Sequence, residues 1–279
     1  MELVSGVQPH GYLILIYGIS GIGKTTEAAF ADDPVFIDCE GGLNVLAQSI
    51  KDKFGLDLVR TPNKIATQSE FIDALRFMAG TKHKTIVIDT VSGLESILCE
   101  EVVAAYNQTE AGRKNPVTSI AQIPYGQGGE ILAARWSYIM KLLQKTQLEC
   151  GKNIILVGHS TVQKVEDPTT ESYDRFTIDV HKKSQSVVIN NVDAAFFCRQ
   201  RTFLRDKETA KGKKLASTDG GRVMYSQDKP AYLAKSRFNL PDEIEMGGNA
   251  FKLIGELMSP KKAGATVAPV KDQPMQAQL

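Results

Sequence analysis

The chain has 279 residues, 42% of them hydrophobic and 23% charged, a length that buries a large core without help from metals or disulfides. Thirty-three Lys plus Arg stand against 32 Asp plus Glu, so a net charge of +1 excludes a global basic footprint, and nucleic-acid binding has to come from local patches. Cys39, Cys99, Cys150 and Cys198 form no CxxC pair, which excludes a zinc ribbon or a disulfide framework and suits a reducing, cytoplasmic setting. Short β-branched runs then alternate with longer amphipathic segments, the pattern of parallel strands wrapped by crossover helices. The longest early apolar run, Tyr12 to Tyr17, is far too short to span a bilayer, so neither export nor a membrane partner is expected. It predicts the first strand instead. Val35 to Asp38, Thr85 to Asp89 and Asn153 to Val157 predict three more, each a nearly continuous apolar run suited to a sheet covered on both faces. Helices are predicted at Lys24 to Ala31, Thr67 to Ala79, Val91 to Tyr106 and Gly129 to Leu148, the second opening on the capping-box signature Thr67-Gln-Ser-Glu70. Beyond Asp193 the runs Ala194 to Arg199, Arg222 to Ser226 and Ala231 to Ala234 are expected as antiparallel edge strands. The segment 259–279 lacks aromatics and recurs in proline, so residues 1–258 are expected as one core and 259–279 as a flexible tail.

The first chemistry-bearing constellation is Gly18-Ile19-Ser20-Gly21-Ile22-Gly23-Lys24-Thr25, a full GxxxxGK[S/T] match between a predicted strand and a predicted helix. Glycines let the backbone wrap a polyphosphate, and amide N–H groups as far as Thr26 point at it with the helix N-terminus behind them. Lys24 then neutralises the β- and γ-phosphates of ATP, and the Thr25 hydroxyl ligates Mg2+. Lys84-Thr-Ile-Val-Ile-Asp89 ends an apolar strand in a carboxylate, as expected of the acidic residue opposite that loop that holds the magnesium. A hydrolytic base is also needed. The residue after Asp89 is Thr90, so it is sought elsewhere, in Val35-Phe-Ile-Asp38-Cys-Glu40-Gly-Gly.

At this point the chain resembles the RecA-like recombinase fold, whose corresponding strand carries a similar Phe-Ile-Asp-x-Glu with the Glu as catalytic base. The resemblance makes Glu40 the base; the alternative is that Glu40 only caps a helix beginning near Leu43. Glu95 is a weaker competitor, expected to be helical and solvated. By the same resemblance 112–128, with Arg113, Lys114 and Tyr125, is the first DNA-facing loop, unless Tyr125 packs inward as in an ordinary surface loop. His159, after the strand Asn153 to Val157, takes the γ-phosphate-sensing place that is Gln in cellular recombinases. The segment 161–184, with Tyr173, Arg175, Lys182 and Lys183, takes the place of the second DNA-binding loop, with a solvated hairpin as the alternative. A second basic patch runs from Arg199 to Lys214. Lys235-Ser-Arg237 resembles the Lys-x-Arg signature whose cations reach the ATP of an adjacent subunit, unless Arg237 pairs with Asp242 or Glu243.

In this order the motifs resemble bacteriophage nucleotide-binding proteins with a reduced RecA core, from about Tyr12 to Leu240. The resemblance implies an α/β RecA-like P-loop NTPase with a mostly parallel central sheet flanked by helices and antiparallel C-terminal edge strands. It further implies a weak, DNA-stimulated ATPase that forms a homo-oligomeric ring or filament and anneals single-stranded DNA in phage recombination, with a single-stranded DNA-binding protein as a further partner. A preceding oligomerisation domain is not expected. A helicase-type or packaging-type DNA motor and a P-loop small-molecule kinase stand as alternatives.

Overall fold

The computed structural model describes residues 10–166, 171–205 and 215–258, with side chains left out at 202–205 and 215–219. The expected tail 259–279, residues 167–170 and most of the basic run, 206–214, lie outside the described residues. In chain order the first half comprises β1 (Leu13–Gly18), α1 (Lys24–Ala28), β2 (Pro34–Asp38), α2 (Leu43–Phe54), β3 (Val59–Arg60), α3 (Gln68–Ala79), β4 (Thr85–Asp89), α4 (Val91–Asn107) and α5 (Glu110–Lys114). Two single-turn helices then lead into α6 (Gln127–Cys150), β5 (Asn153–Val165), β6 (Tyr173–Ile178), α7 (Lys182–Asn191), β7 (Ala194–Arg205), β8 (Leu215–Tyr225), β9 (Lys235–Ser236), β10 (Glu243–Glu245) and α8 (Asn249–Met258).

The strands form one sheet in the order β10-β8-β7-β1-β5-β4-β2-β3, with β6 paired to β5 and β9 to β7. From β7 to β3 the pairings are parallel. Strand β1 shows why its run is wholly apolar. Leu13, Leu15 and Tyr17 enter the core beneath α3, α4, α6 and α7, while Ile14 and Ile16 enter the opposite core beneath α1, α2 and α8. The Thr67 half of the α3 cap forms as expected, Thr67 Oγ1 accepting from Glu70 N at 3.1 Å, while the Glu70 carboxylate reaches one residue further back and accepts from Ala66 N at 2.8 Å. Phe71, Leu75 and Met78 are buried on its stripe. Among the described residues no helix is long and apolar enough to cross a membrane.

Several expectations change. Strand β7 is not an antiparallel edge: Leu15 pairs in parallel with Ala195 and Gly18 with Cys198, so the antiparallel additions begin only at β8. The strand after Ala231 is displaced to Lys235–Ser236, because Tyr232 turns inward instead and stacks on Phe197 and Tyr225. Helix α1 stops at Ala28, three residues short, and Asp33 just before Pro34 takes φ +45°. The Glu27 carboxylate in that helix accepts Gly247 N at 2.5 Å and Gly248 N at 2.8 Å, so the helix behind the glycine-rich loop is tied to the C-terminal segment.

Candidate functional site

The loop Gly18–Thr25 leaves β1 at the carboxyl end of the parallel sheet, where open α/β sheets place their ligands. Gly18 is required by packing, since a Cβ there would lie 2.3 Å from the Cys198 carbonyl oxygen on β7. Gly23 is required by conformation: its φ of +99° is strained for any residue with a side chain. Ile22 is buried beneath the loop, whereas Ile19 is half exposed and lends its carbonyl. Lys24 Nζ donates to Gly18 O at 3.0 Å and Ile19 O at 2.9 Å, which holds the ammonium across the mouth of the loop. Burial lowers the pKa of Lys24, and Asp89 and Glu40 are among the charges that oppose this.

The strand order brings the carboxylates to that ammonium. Strands β2 and β4 are parallel neighbours with Asp38 opposite Asp89, and Asp89 Oδ2 accepts from Thr25 Oγ1 at 2.6 Å. Burial pushes the Asp89 carboxyl up to about 6, against the Thr25 hydrogen bond that lowers it. Glu40 stands past the end of β2 and does not cap α2, whose N-cap is Gly42 without a side-chain bond. Its orientation comes from three neighbours. Asp38 Oδ1 accepts Glu40 N at 3.1 Å and Gly41 N at 2.6 Å, Thr90 Oγ1 donates to Glu40 Oε2 at 3.0 Å, and His159 Nε2 lies 3.1 Å from Glu40 Oε1. Ser20, Gly21, Gly23, Lys24, Thr25, Thr26, Asp38, Glu40, Asp89 and His159 thus line one cleft of about 470 Å3, a volume that suits a nucleotide. Thr25 and Asp89 supply hard oxygen donors of the kind magnesium takes.

Residues 10–238 match the AAA_24 model, an AAA domain. The chain belongs to that AAA domain family. It is therefore an AAA-type P-loop protein, of a class that binds nucleotide with a divalent cation and hydrolyses it, and the phosphate loop and the Asp89 strand lie inside the matched span. No curated protein matches the chain.

The remaining expected residues fall in several places. Tyr125 is 97% exposed at φ +58°, so the inward-packed alternative is not what forms. Arg113 and Lys114 lie exposed on α5, with Lys114 paired to Glu110 at 2.7 Å. Lys182 and Lys183 begin α7 beside the start of α6, where Lys183 Nζ donates to Glu130 at 2.6 Å and His181 crowds Gly129. Lys183 of the second expected loop therefore meets the end of the first, where it enters α6. The strand beginning at Asn153 runs on past His159 to Val165 and turns back as β6, so the second expected loop is a hairpin carrying a half-buried Tyr173. Arg175 faces inward rather than toward a strand of DNA, its guanidinium taken by Asp228 and by Tyr232 O. Arg201, in the described part of the basic run, pairs with Glu243 at 2.7 Å and Glu245 at 3.2 Å.

Lys235 and Arg237 lie at the opposite end of the strands from the phosphate loop, beside the start of β7. Lys235 Nζ donates to Ile189 O at 2.8 Å, and Arg237 pairs with Asp193 at 3.0 Å instead of with Asp242 or Glu243. Glu95 is helical but not solvated. It accepts from Trp136 Nε1 at 2.7 Å and from His181 N at 2.5 Å, and burial raises its pKa. Two residues at the site escape local motifs. Thr90 holds Glu40, and Arg222 enters from β8 to donate to Ile22 O at 3.3 Å.

Proposed function

We propose that the protein is an ATP-dependent single-stranded DNA-binding and annealing protein of phage homologous recombination, which hydrolyses Mg·ATP between Lys24, Thr25, Asp89 and Glu40. The observation that supports this most directly is the contact of His159 with Glu40. His159 lies on a strand that continues into the β5–β6 hairpin, and its carbonyl accepts Asp179 N at 2.9 Å just before the cations of α7. In this reading a γ-phosphate drawn to Glu40 and His159 biases the hairpin and the Lys182–Lys183 surface, where Tyr125 offers an open face for a base. Lys235 and Arg237 act in this reading on a neighbouring copy, because they stand far from the phosphate loop of their own chain.

Fluorescence anisotropy of a labelled oligonucleotide, single-stranded and duplex, with and without ATP and magnesium, tests the reading. The expected result is preference for the single strand, strengthened by ATP in the wild type and not in Lys24→Ala. Tyr125→Ala weakens single-strand binding by about 1–3 kcal/mol and leaves ATP binding intact. Equal binding of single strand and duplex, unmoved by nucleotide, would remove the recombination role and leave the ATPase.

A further inference from the structure

Arg222 stands where no motif foretold a cation. It lies on β8, separated from β1 by β7, and so on the opposite side of the phosphate loop from β5, β4 and β2. Its backbone is fixed by pairing with Gln200 and by the bond from Met246 N to Arg222 O at 2.9 Å. The guanidinium reaches back to the loop: Nη1 donates to Ile22 O, and a Cβ placed on Gly23 would lie 2.3 Å from that nitrogen. The side chain is exposed to the cleft that Ser20 to Thr26 line. Among the described residues its one hydrogen bond is the long one to Ile22 O, and no carboxylate pairs with it. The nearby Glu27 already accepts two backbone N–H groups. A guanidinium has five N–H donors, so most of this fork has no partner within the protein and borders an anion site.

The polarity of the cleft says which part of the anion it meets. Thr25, Asp89, Glu40 and His159 gather on the β5–β4–β2 side, where magnesium and the terminal phosphate belong. A triphosphate held that way carries its α-phosphate toward β7 and β8. Resting on the reading of this cleft as an ATP site, we propose that Arg222 binds the α-phosphate of the nucleotide from within the same chain. Lys24 serves the β- and γ-phosphates, and Arg222 serves the other end. The residue is a binding group for ATP and ADP alike, and takes no part in cleaving the γ-phosphate.

Calorimetry with Mg·ATP and Mg·ADP on the wild type, Arg222→Ala and Arg222→Lys provides the test, together with 31P spectra of bound ADP. Arg222→Ala should weaken ATP and ADP by the same factor, about tenfold or more, with Arg222→Lys in between. Turnover at saturating ATP should stay within about threefold, since binding lost equally from ground and transition state leaves kcat alone. The α-phosphorus resonance should move in both variants while the β resonance stays. A merely structural role would not single out that phosphorus. If the wild type binds ATP and Arg222→Ala binds it equally well, or if kcat alone falls, or if the α resonance is unmoved, the assignment to Arg222 is wrong and the ATP site stands. A wild type that binds no ATP overturns both.

Discussion

Lys24 donates to two carbonyls of its own loop, which holds the ammonium at the mouth where the β- and γ-phosphates are expected. Glu40 is held just as closely by Thr90 and His159, so replacing its charge should cost chemistry rather than binding. Glu40→Gln is expected to slow ATP hydrolysis by about 10²–10⁴-fold. Affinity for ATP should stay within a few-fold, read by comparing turnover with calorimetry. Asp89 carries a pH dependence. Its carboxyl titrates near 6 in the fold, above its ordinary 3.8, so the neutral form is the one the fold favours. The stability this lends is fully present below pH 3.8 and lost as pH rises through about 6. Above pH 6 the buried charge therefore burdens the nucleotide-free protein. Asp89→Asn should stabilise the nucleotide-free protein at pH 7.5, by about 2 kcal/mol or less in denaturant titration, while abolishing the added stability that magnesium gives wild type with ATP. Magnesium affinity in the wild type should fall as pH drops below about 6, because protons compete for the same oxygens. Asp89 and Lys24 were readable from the chain because a motif of eight adjacent residues and a strand end each carry their own context. Arg222 was not, because about two hundred residues separate it from the loop it touches and only sheet pairing brings it there.

Helix α4 shows how an element assigns a role that a residue type conceals. A lone Glu in a helix is usually solvated, yet Val91, Glu95 and Leu98 stand at spacings of four and three, which puts Glu95 on the buried stripe. That periodicity was the available signal. The carboxylate joins α4 to α6 through Trp136 and to the start of α7 through His181 N. Glu95→Ala strands the buried Trp136 Nε1 and the part-buried His181 N and should cost about 3 kcal/mol. Trp136 is the single tryptophan, so its emission should shift to the red in that variant, a change that denaturant titration can follow. Strand direction is a different matter. An apolar run such as Ala194 to Cys198 fits a parallel or an antiparallel neighbour equally well, and the helix α7 that makes β7 parallel has a short, weakly apolar face. The length of β5 was hidden for a related reason: past Val157 its residues alternate and lose burial, and they remain a strand only by pairing with β6.

At the scale of the whole molecule the two cores meet through the sheet, and the nucleotide cleft sits on its upper rim, bounded by β8 on one side and β2 on the other. A ligand that binds only the folded chain stabilises it by mass action. Mg·ATP at about a hundred times its Kd should add about 2.7 kcal/mol and raise the melting temperature by about 5–10 °C. Lys24→Ala should show no such rise. The general architecture followed from alternating apolar runs and helical stripes, whereas the way its C-terminal part folds back onto the phosphate loop had no counterpart in local pattern.

That folding back sets a schedule. Strand β1 emerges early from the ribosome, but its parallel neighbour β7 and, later still, the Gly247–Gly248 amides that clasp Glu27 are made well after it. A nascent polypeptide paused before residue 194 carries every residue of the phosphate-binding motif with one flank of its strand bare. The support around the phosphate-binding motif is thus complete only once β7 and the segment at Gly247–Gly248 have been made.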